Sequence, residues 1–499
     1  MNEINAVRPR LSAATLPSLG AGVAVPTYDR SEVQVGIVHL GVGGFSRSHQ
    51  AAYLDALLRA GLGGEWGICG IGLLPGDAAM AAALQPQDGL YTLVTKDTDG
   101  SQRSRVIGSI LRYIHAPTDP AAAYEALTSS QTRIVTLTVT EGGYNIDPRT
   151  GKFAAGVDAI VADVADVAAE QKRTVFGWVV EALRRRRAAG IAPFTVVSCD
   201  NIRGNGDVAR TAFTRFAELC DAELGRWVAD NVAFPNSMVD RITPVTTDDD
   251  RAEVERLHGY LDAWPVVCEP FVQWVLEDRF SAGRPPLEEV GVQVVDDVEP
   301  YELMKLYLLN GSHQALAHWG RLAGTESIHD VIGDPVIATL VRKYALDEVT
   351  PILRPVPGID LAEYREGLIT RFANAQIRDS VARVGAYATD RLAGFVLPVL
   401  NANLAAGGPI DIAVLILAAW ARGVELAIAG GRSAEVVDHR AAEVLARGNR
   451  QRVEPLALMA MRVFGEVADD ARFAASFTAT LNALREGPEC PASDVDYST

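Results

Sequence analysis

The stretch VQVGIVHLGVGGFSRSHQAAYLDALLRAG, residues 33–61, carries the clearest structural pattern in the chain. It begins with a short apolar run over residues 33–40, passes through a cluster of glycines and ends in apolar residues at helical spacing. This order predicts a buried β-strand, a tight turn and a helix. Later β-branched runs, RIVTLTVTEGGY and PFTVVSCDN, predict further strands with helical segments between them. Apolar strands that alternate with helices predict an α/β fold with a parallel sheet covered on both faces.

The segment GVGGFS, which begins at Gly41, lies where a dinucleotide-binding fingerprint follows the first strand of a Rossmann-type domain. Gly41 permits a tight turn, and Gly43 lets the backbone approach a pyrophosphate at the start of the helix. Gly44 and Phe45 complete the predicted cofactor-binding turn. The third fingerprint position is Ser46, a small residue that still permits close packing of helix on strand. The alternative is a turn that binds no ligand, because glycine-rich turns are common.

An acidic residue at the end of the second strand would bind the adenosine ribose hydroxyls and favour NAD over NADP. Asp77, in GLLPGDAAM, is the candidate, although it lies farther from Gly41 than the usual spacing of about 20 residues. The alternative for Asp77 is an N-cap of a helix over AAMAAAL. The sequence therefore favours NAD as cofactor and leaves the strength of that preference open.

The character of the sequence changes near DRFSAGRPPLEEVG, where Pro285 and Pro286 mark the predicted domain boundary. We predict a dinucleotide-binding α/β domain over residues 1–284 and a mainly α-helical substrate and catalytic domain over residues 285–499. Helical patterns are predicted over residues 157–189 in the first domain and over 301–322, 328–344, 410–429, 433–446 and 471–484 in the second.

Bulk properties exclude several classes of function. The formal net charge of −17 disfavours nucleic-acid binding, and the RRRR run at residues 184–187 is predicted to be the solvated end of a helix. The apolar segment IDIAVLILAAWARGVELAIAG is interrupted by Arg422 after about ten residues, whereas a membrane span needs roughly 20. It is therefore predicted to be a buried helix. The N-terminus lacks a signal-peptide pattern, so a cytoplasmic location is expected.

Cysteine and histidine spacing gives no sign of a disulfide framework or a metal site. The cysteines show no CxxC pair, which predicts reduced thiols at Cys69, Cys199, Cys220, Cys268 and Cys490. The eight histidines show neither HExxH nor zinc-finger spacing. The expected partners are a cofactor and a small-molecule substrate, without nucleic acid or membrane, and the oligomeric state stays open.

The segment YELMKLYLLNGSHQAL places an amine, an amide and an imidazole on one predicted helix. At about 100° per residue, Glu302, His313 and Asn310 fall within roughly 140° of Lys305, with leucines interleaved among them. Apolar residues cover the opposite side as well, so the helix is predicted to be buried. Its polar groups must then find partners inside the protein.

These residue types suit proton transfer beside a stabilised oxyanion. Lys305 can act as a general base if burial and a neighbouring cation lower its pKa. The amide of Asn310 can donate to a developing alkoxide, and His313 can hold the substrate hydroxyl or orient the lysine. The alternative is a structural polar cluster. The Tyr-x-x-x-Lys spacing of short-chain dehydrogenases also begins at Tyr301, but Glu288 stands where that family wants serine, so we treat the match as accidental.

Five segments in order resemble the polyol-specific long-chain dehydrogenase/reductase family, and together they extend from about residue 33 to about residue 400. They are IVHLGVGGFSRSHQAAYLDALL, VVSCDNIRGNG, FPNSMVDRITP, YELMKLYLLNGSHQAL and RFANAQIRDSVARVG. The resemblance implies an NAD-dependent, metal-independent oxidoreductase that interconverts a polyol and a ketose. D-mannitol and D-fructose are the expected pair.

The resemblance also implies roles for individual residues. Lys305 would be the general acid/base, with Asn201 and Asn310 as an oxyanion pair. His313 would bind substrate and orient the lysine, and Glu302 would relay protons between the lysine and solvent.

Asp240 and Arg383 would contact polyol hydroxyls. Arg378 competes with Arg383 for a ligand role, and motif position favours Arg383. Asn201 has a structural alternative as the cap of the turn before RGNGDVAR, and Asp240 has one as the partner of Arg241 on a loop. Among the departures from the family, Tyr307 stands where arginine is common.

Other functions remain open. Hexuronate reductases that act on fructuronate or tagaturonate belong to the same family, and an arginine would hold their carboxylate substrate. Arabinitol and sorbitol dehydrogenases are closer alternatives. A regulator that binds NAD without turnover is the alternative from a different class of protein.

Overall fold

The computed structural model describes residues 8–20, 22–147, 150–167 and 169–487, so Cys490 lies outside the described residues. The chain divides into two compact units, and the division falls between Val298 and Glu299. This division lies beyond Pro285, where the sequence predicts the domain boundary, because the strand Gln293–Val295 still pairs within the first unit.

The first unit contains a five-stranded parallel sheet in the order β5-β2-β1-β6-β7. Two three-stranded sheets accompany it, in the orders β4-β3-β9 and β11-β10-β8. The strands of the described residues are β1 (Val35–Leu40), β2 (Gly67–Gly72), β3 (Tyr91–Lys96), β4 (Gln102–Ile107), β5 (Ile110–His115), β6 (Ile134–Leu137), β7 (Thr195–Ser198), β8 (Ser237–Asp240), β9 (Val266–Cys268), β10 (Gln273–Glu277) and β11 (Gln293–Val295).

Both faces of the parallel sheet are buried, which confirms the α/β fold predicted from the sequence. In β1, Val38 and Leu40 join one hydrophobic cluster, which also contains Phe176. Ile37 points to the other face and joins a second cluster with Leu57. Residues adjacent in a strand face opposite sides, so the near-continuous apolar run of β1 supplies both clusters.

The helices of the first unit lie between or after these strands. They are α1 (Gly44–Ser48), α2 (Gln50–Arg59), α3 (Ala78–Leu84), α4 (Pro120–Thr128), α5 (Asp158–Ala165), α6 (Val175–Ala188), α7 (Asn205–Cys220), α8 (Ala222–Asn231) and α9 (Asp248–His258).

The continuous helix predicted over residues 157–189 is wrong, because a side chain ends α5 and organises the start of α6. The Asp163 carboxylate accepts hydrogen bonds from the backbone N–H of Arg173 at 2.9 Å and of Thr174 at 2.9 Å. Thr174 then caps α6 by accepting from the N–H of Gly177. Thr174 is thus held in an extended conformation, which a continuous helix could not include.

The prediction that the RRRR run is solvated is wrong for Arg186. This side chain is buried and donates to the backbone carbonyls of Leu127, Ser129, Thr132 and Ala192. Five N–H donors on one guanidinium allow it to satisfy several loop carbonyls at once. Arg184 and Arg185 are more exposed and pair with the buried carboxylate of Glu181.

The second unit is helical. Its α-helices are α10 (Glu299–Met304), α11 (Gly311–Leu322), α12 (Ile328–Ile332), α13 (Pro335–Lys343), α14 (Leu361–Phe372), α15 (Val381–Gly385), α16 (Ala388–Arg391), α17 (Leu397–Ala406), α18 (Asp411–Ala429), α19 (Ala441–Arg450) and α20 (Ala471–Glu486). Three π-helical turns continue these helices: the first is Lys305–Asn310, the second Tyr344–Val349 and the third Leu392–Val396.

The central helix α18 contacts α11, α19 and α20. It is the one helix of the described residues long and apolar enough to cross a membrane, and 78% of its most apolar window is buried inside the protein. The prediction of a buried helix is therefore confirmed. The carboxylate of Glu348, in the second π turn, accepts hydrogen bonds from the N–H groups of Ile412 at 2.6 Å and Ala413 at 2.9 Å, and so caps α18.

Two predicted helices of the second unit are shorter than their patterns indicate. The helix predicted over residues 433–446 begins only at Ala441, because Asp438 accepts from the N–H groups of Thr389 at 2.9 Å and Arg440 at 2.8 Å. The helix predicted over residues 328–344 breaks at Asp334, which caps α13. In both cases an aspartate bonded to backbone N–H groups competes with helix formation.

Candidate active site

The glycine turn that follows β1 has the geometry expected of a dinucleotide cradle. Gly41 has φ +89°, and a Cβ at this position would lie 2.4 Å from the carbonyl oxygen of Thr138. Only glycine fits there without strain. At Gly43 a Cβ would meet no atom closer than 3.9 Å, so the backbone is open to a ligand at that point. The Ser46 hydroxyl closes the turn by accepting from the Gly43 N–H at 3.0 Å.

The VDRITP motif packs directly against this turn, a relationship that the sequence analysis missed. Arg241 is buried and donates to the carbonyl of Ser48 at 2.7 Å and to that of Glu269 at 2.9 Å. The hydroxyls of Ser48 and Thr243 are 2.7 Å apart. Arg47 is also buried and donates to the Gly43 carbonyl at 3.1 Å. The contact of Arg241 with Ser48 joins residues 193 positions apart, so no local sequence pattern predicts it.

Asp77 lies beyond the end of β2, in the turn Pro75–Asp77 that precedes α3. Its carboxylate accepts from the Leu74 N–H at 2.9 Å. Asp77 precedes α3, but its side chain forms no capping hydrogen bond with that helix. Asp77 therefore does not cap α3 through its side chain, and its binding of the adenosine ribose stays a prediction.

Asn201 and Asp240 both follow or end strands of the first unit. Asn201 is half-buried in the turn after β7, and α7 begins only after Gly204, so Asn201 is not the N-cap of that helix. Asp240 is the last residue of β8, where it pairs in register with Gln273, and is buried. Asp240 is thus a strand residue rather than part of a loop.

The segment around Lys305 is buried, as predicted, but it is not a regular α-helix. Lys305 and Asn310 begin and end the first π turn, and the backbone N–H of Gly311 bonds to the carbonyl of Leu306, five residues earlier. Both side chains are buried, as are those of Glu302 and His313 in the flanking helical turns. In an α-helix residues five apart are separated by about 140°, whereas the five-residue spacing of a π turn moves them towards one face.

The first π turn contacts both of the others, so three π turns meet inside the second unit. Tyr307, at a position where the family commonly has arginine, is buried in the first turn. Tyr344, in the second, packs against Gly311, where a Cβ would lie 2.8 Å from the tyrosine hydroxyl. π turns of this kind frequently occur at functional sites. Nothing in the sequence pattern predicted them.

His313 and Arg383 have identifiable neighbours. The His313 ring lies 4.5 Å from that of Phe372, centroid to centroid. Arg383 forms a two-pronged ion pair with Asp379, with Nε to Oδ1 at 2.7 Å and Nη2 to Oδ2 at 2.5 Å. Burial opposes ionisation of Asp379, but Arg383 and the charge of His313 hold the pKa of that carboxyl below its ordinary range. Arg378 is exposed, with φ +47°.

The described residues contain no group of three or more His, Cys, Asp and Glu side chains that could hold a metal ion. Metal-independent chemistry stays a prediction. The helical segment that carries Lys305 instead offers an amine, the amide of Asn310 and the imidazole of His313, which suit the movement of a proton and the stabilisation of an oxyanion.

A parallel nucleotide-binding sheet followed by a helical unit with a buried lysine defines the class of two-domain dehydrogenases. The sequence model of the mannitol dehydrogenase Rossmann domain matches residues 35–289, and that of the mannitol dehydrogenase C-terminal domain matches residues 297–485. The chain therefore belongs to the mannitol dehydrogenase family.

Individual relatives agree with this assignment. The structure of Pseudomonas fluorescens mannitol 2-dehydrogenase in ternary complex with NAD and D-mannitol is 41% identical, with a TM-score of 0.91 over 96% of this chain and 98% of that one. A D-sorbitol dehydrogenase in substrate-free form is 35% identical, with a TM-score of 0.81 over 96% and 99%. Mannitol 2-dehydrogenase of Cereibacter sphaeroides is 43% identical over 94% of this chain and 97% of that protein.

Proposed function

We propose that the protein is an NAD-dependent polyol dehydrogenase that interconverts D-mannitol and D-fructose. The observation that carries the proposal is the buried π turn with Lys305 at one end and Asn310 at the other. It brings a proton acceptor and an amide donor towards one face of a helix. The similarity to a mannitol 2-dehydrogenase crystallised with NAD and D-mannitol supports the choice of cofactor and substrate.

The residues of the first unit suit NAD. The open backbone at Gly43 would receive the pyrophosphate, with Gly41, Gly44 and Phe45 forming the rest of the turn. Asp77, beyond the end of β2, would bind the adenosine ribose hydroxyls and disfavour the 2′-phosphate of NADP. When bound, NAD supplies the acceptor for the hydride that leaves C2 of the polyol.

Residues of the chain itself transfer the proton and stabilise the negative charge that develops on the substrate oxygen. Lys305, in its neutral form, takes the proton of the C2 hydroxyl as the hydride leaves the same carbon. The amides of Asn201 and Asn310 donate hydrogen bonds to the developing oxyanion. Glu302, about one turn before the lysine, passes the proton on to solvent, and His313 orients the lysine and the substrate hydroxyl. In the reverse direction, charged Lys305 protonates the ketose oxygen.

The ion pair of Arg383 and Asp379 favours a polyol over a hexuronate. A substrate carboxylate would need a cation whose charge is available, but Asp379 already compensates that of Arg383. The Nη1 group of Arg383 forms no hydrogen bond with another of the described residues and can donate to a neutral hydroxyl. Asp240 would accept from a further hydroxyl of the polyol.

D-sorbitol is the second candidate substrate, because a D-sorbitol dehydrogenase shares the fold over 96% of this chain. The test is the initial rate of NADH oxidation by the purified protein with fructose and with fructuronate, followed by NAD reduction with mannitol, arabinitol and sorbitol. Turnover of fructose and of mannitol in preference to the other polyols supports the proposal. Turnover of fructuronate alone would make the protein a hexuronate reductase, and NADH binding without any turnover would make it a regulator.

Lys305→Ala tests the assignment of the acid/base. Removal of the amine should leave NADH affinity unchanged and nearly abolish turnover in both directions. Lys343→Ala, at the end of α13 in the same unit, is the control and should retain turnover. Near-normal turnover of the Lys305 variant would refute the mechanism.

We also infer a cytoplasmic location. The described cysteines, Cys69, Cys199, Cys220 and Cys268, are all free thiols, and a reducing compartment would keep them so.

A further inference from the structure

Thr140 has a backbone conformation that is almost confined to glycine. Its φ is +68° and its ψ is 164°. A β-branched residue in this region is strained and persists only where surrounding contacts over-determine it. The residue is exposed, so packing of its own side chain does not explain the conformation.

The carboxylate of Asp200 holds this turn. Its Oδ1 accepts from the Thr140 N–H at 2.9 Å, and its Oδ2 accepts from the Val139 N–H at 3.1 Å. The hydroxyl of Tyr144 lies 2.8 Å from Oδ2 of Asp200 and 2.6 Å from the Ser198 hydroxyl. Asp200 is buried, so these charge-assisted bonds are shielded from water.

The strained turn lies at the topological switch point of the parallel sheet. It follows β6, which neighbours β1 on the side opposite to β2. The Thr138 hydroxyl donates to the carbonyl of Gly41 at 2.7 Å, which joins the turn to the glycine cradle. Dinucleotides cross such a crevice, and with Asp77 marking the adenosine end beyond β2, the nicotinamide end falls on the side of β6 and β7.

We propose that Asp200 is a positioning residue that clamps the Thr140 turn in the shape required by the nicotinamide end of the cofactor. This inference rests on the dinucleotide binding in the proposed function. Asp200 acts through the turn, and it also immediately precedes Asn201, the proposed oxyanion donor after β7. The strain at Thr140 is thus offset by the two backbone hydrogen bonds.

The clamp is tested by whether glycine at position 140 restores NADH affinity after the Asp200 carboxylate is removed. In Asp200→Asn, an amide NH2 replaces one acceptor opposite a backbone N–H, and the Kd for NADH, measured by fluorescence titration, should rise about tenfold. Thr140→Gly should have a higher Tm, because glycine adopts this conformation without strain, and its Kd for NADH serves as the reference for the double variant. In the double variant the Kd should lie within about threefold of that of Thr140→Gly alone.

Two outcomes would overturn the inference: an unchanged Kd in Asp200→Asn, or a Kd in the double variant that stays about tenfold above that of Thr140→Gly alone. If Asp200→Asn does not fold, Tyr144→Phe weakens the clamp more mildly, and its smaller loss of affinity should disappear when combined with Thr140→Gly. A wild type that does not bind NADH would instead refute the proposed function. The titration thus separates the two failures.

Discussion

Lys305 and Asn310 are the first and last residues of a single buried π turn. The N–H of Gly311, the next residue, donates to the carbonyl of Leu306, five residues earlier. The extra residue per turn changes which side chains share a face. In an α-helix Asn310 would point about 140° away from Lys305, whereas the π turn moves the amide towards the amine. The proposed proton transfer and oxyanion stabilisation therefore depend on a local irregularity of the backbone.

Asn310→Ala should lower kcat about 100- to 1,000-fold, because it removes a donor to the developing oxyanion. The KM should change little, since the hydrogen bond strengthens mainly in the transition state. Steady-state rates of mannitol oxidation measure both quantities. Asn201→Ala should give a loss of the same kind. A kcat within about threefold of wild type in the Asn310 variant would remove the amide from the mechanism.

Gly41→Ala and Gly43→Ala form a matched pair. At Gly41 an added Cβ meets the Thr138 carbonyl at 2.4 Å with φ at +89°, so the Tm should fall, with roughly 1–2 kcal/mol lost to backbone strain alone. At Gly43 the added Cβ meets no atom closer than 3.9 Å, so the Tm should be unchanged while NADH affinity falls. Thermal unfolding and fluorescence titration separate the two effects. Equal loss of Tm in both variants would contradict the open cradle.

Asp77→Asn should reduce the preference for NADH over NADPH. The neutral amide no longer repels a 2′-phosphate and accepts more weakly from the ribose hydroxyls, so the ratio of the two Kd values should shift by about tenfold. Asp99→Asn, in the turn between β3 and β4, is the control and should leave the ratio unchanged. An unaltered ratio in the Asp77 variant would exclude this residue from the cofactor site.

Asp379→Asn should raise the activity towards fructuronate relative to fructose. The substitution leaves the charge of Arg383 uncompensated and available to a substrate carboxylate, so the ratio of kcat/KM values should rise about tenfold. In the Asp379→Asn, Arg383→Gln double variant the gain should disappear. A gain that survives in the double variant would show that another cation binds the carboxylate.

Glu348 should make the stability of the second unit fall as the pH rises. Burial raises the pKa of this carboxyl to about 7 from an ordinary value of 4.5, although the N–H groups of Ile412 and Ala413 favour its charged form. The folded state then binds the proton more tightly than the unfolded chain. The contribution of Glu348 to the free energy of unfolding is therefore fully present below pH 4.5. It declines by about 3 kcal/mol as the pH rises to about 7.

Calorimetry of Glu348→Gln across this range measures the effect, and the Tm advantage of the wild type should shrink as the pH rises. Glu425→Gln is a control of opposite sign. Burial opposes ionisation of Glu425, but hydrogen bonds from Arg485 lower its pKa, so its contribution is lost only as the pH falls below its ordinary range. A constant Tm difference between wild type and Glu348→Gln would contradict the raised pKa.

The local sequence pattern was sufficient to predict much of the secondary structure of the first unit. The strand, glycine turn and helix over residues 33–61 are present, with the difference that the helix breaks at His49, whose ring Nε2–H donates to the Gln273 carbonyl at 2.8 Å. The requirement for glycine at position 41 could be predicted from the tight turn alone. The break between β4 and β5 lies at Gly108, whose N–H donates to the Asp55 carboxylate at 2.9 Å, a contact between residues 53 positions apart that no local pattern contains.

The amino-acid sequence by itself determined the α/β fold, the buried helix around Lys305 and the family, because apolar periodicity, glycine placement and motif order are local properties. Tertiary structure decided two features: the π turn that relates Lys305 to Asn310, and the clamp of Asp200 on Thr140. Each depends on side chains or backbone groups that only folding brings into contact. The energy of each feature is a balance of backbone strain and burial against hydrogen bonds. This balance cannot be read from a short stretch of sequence.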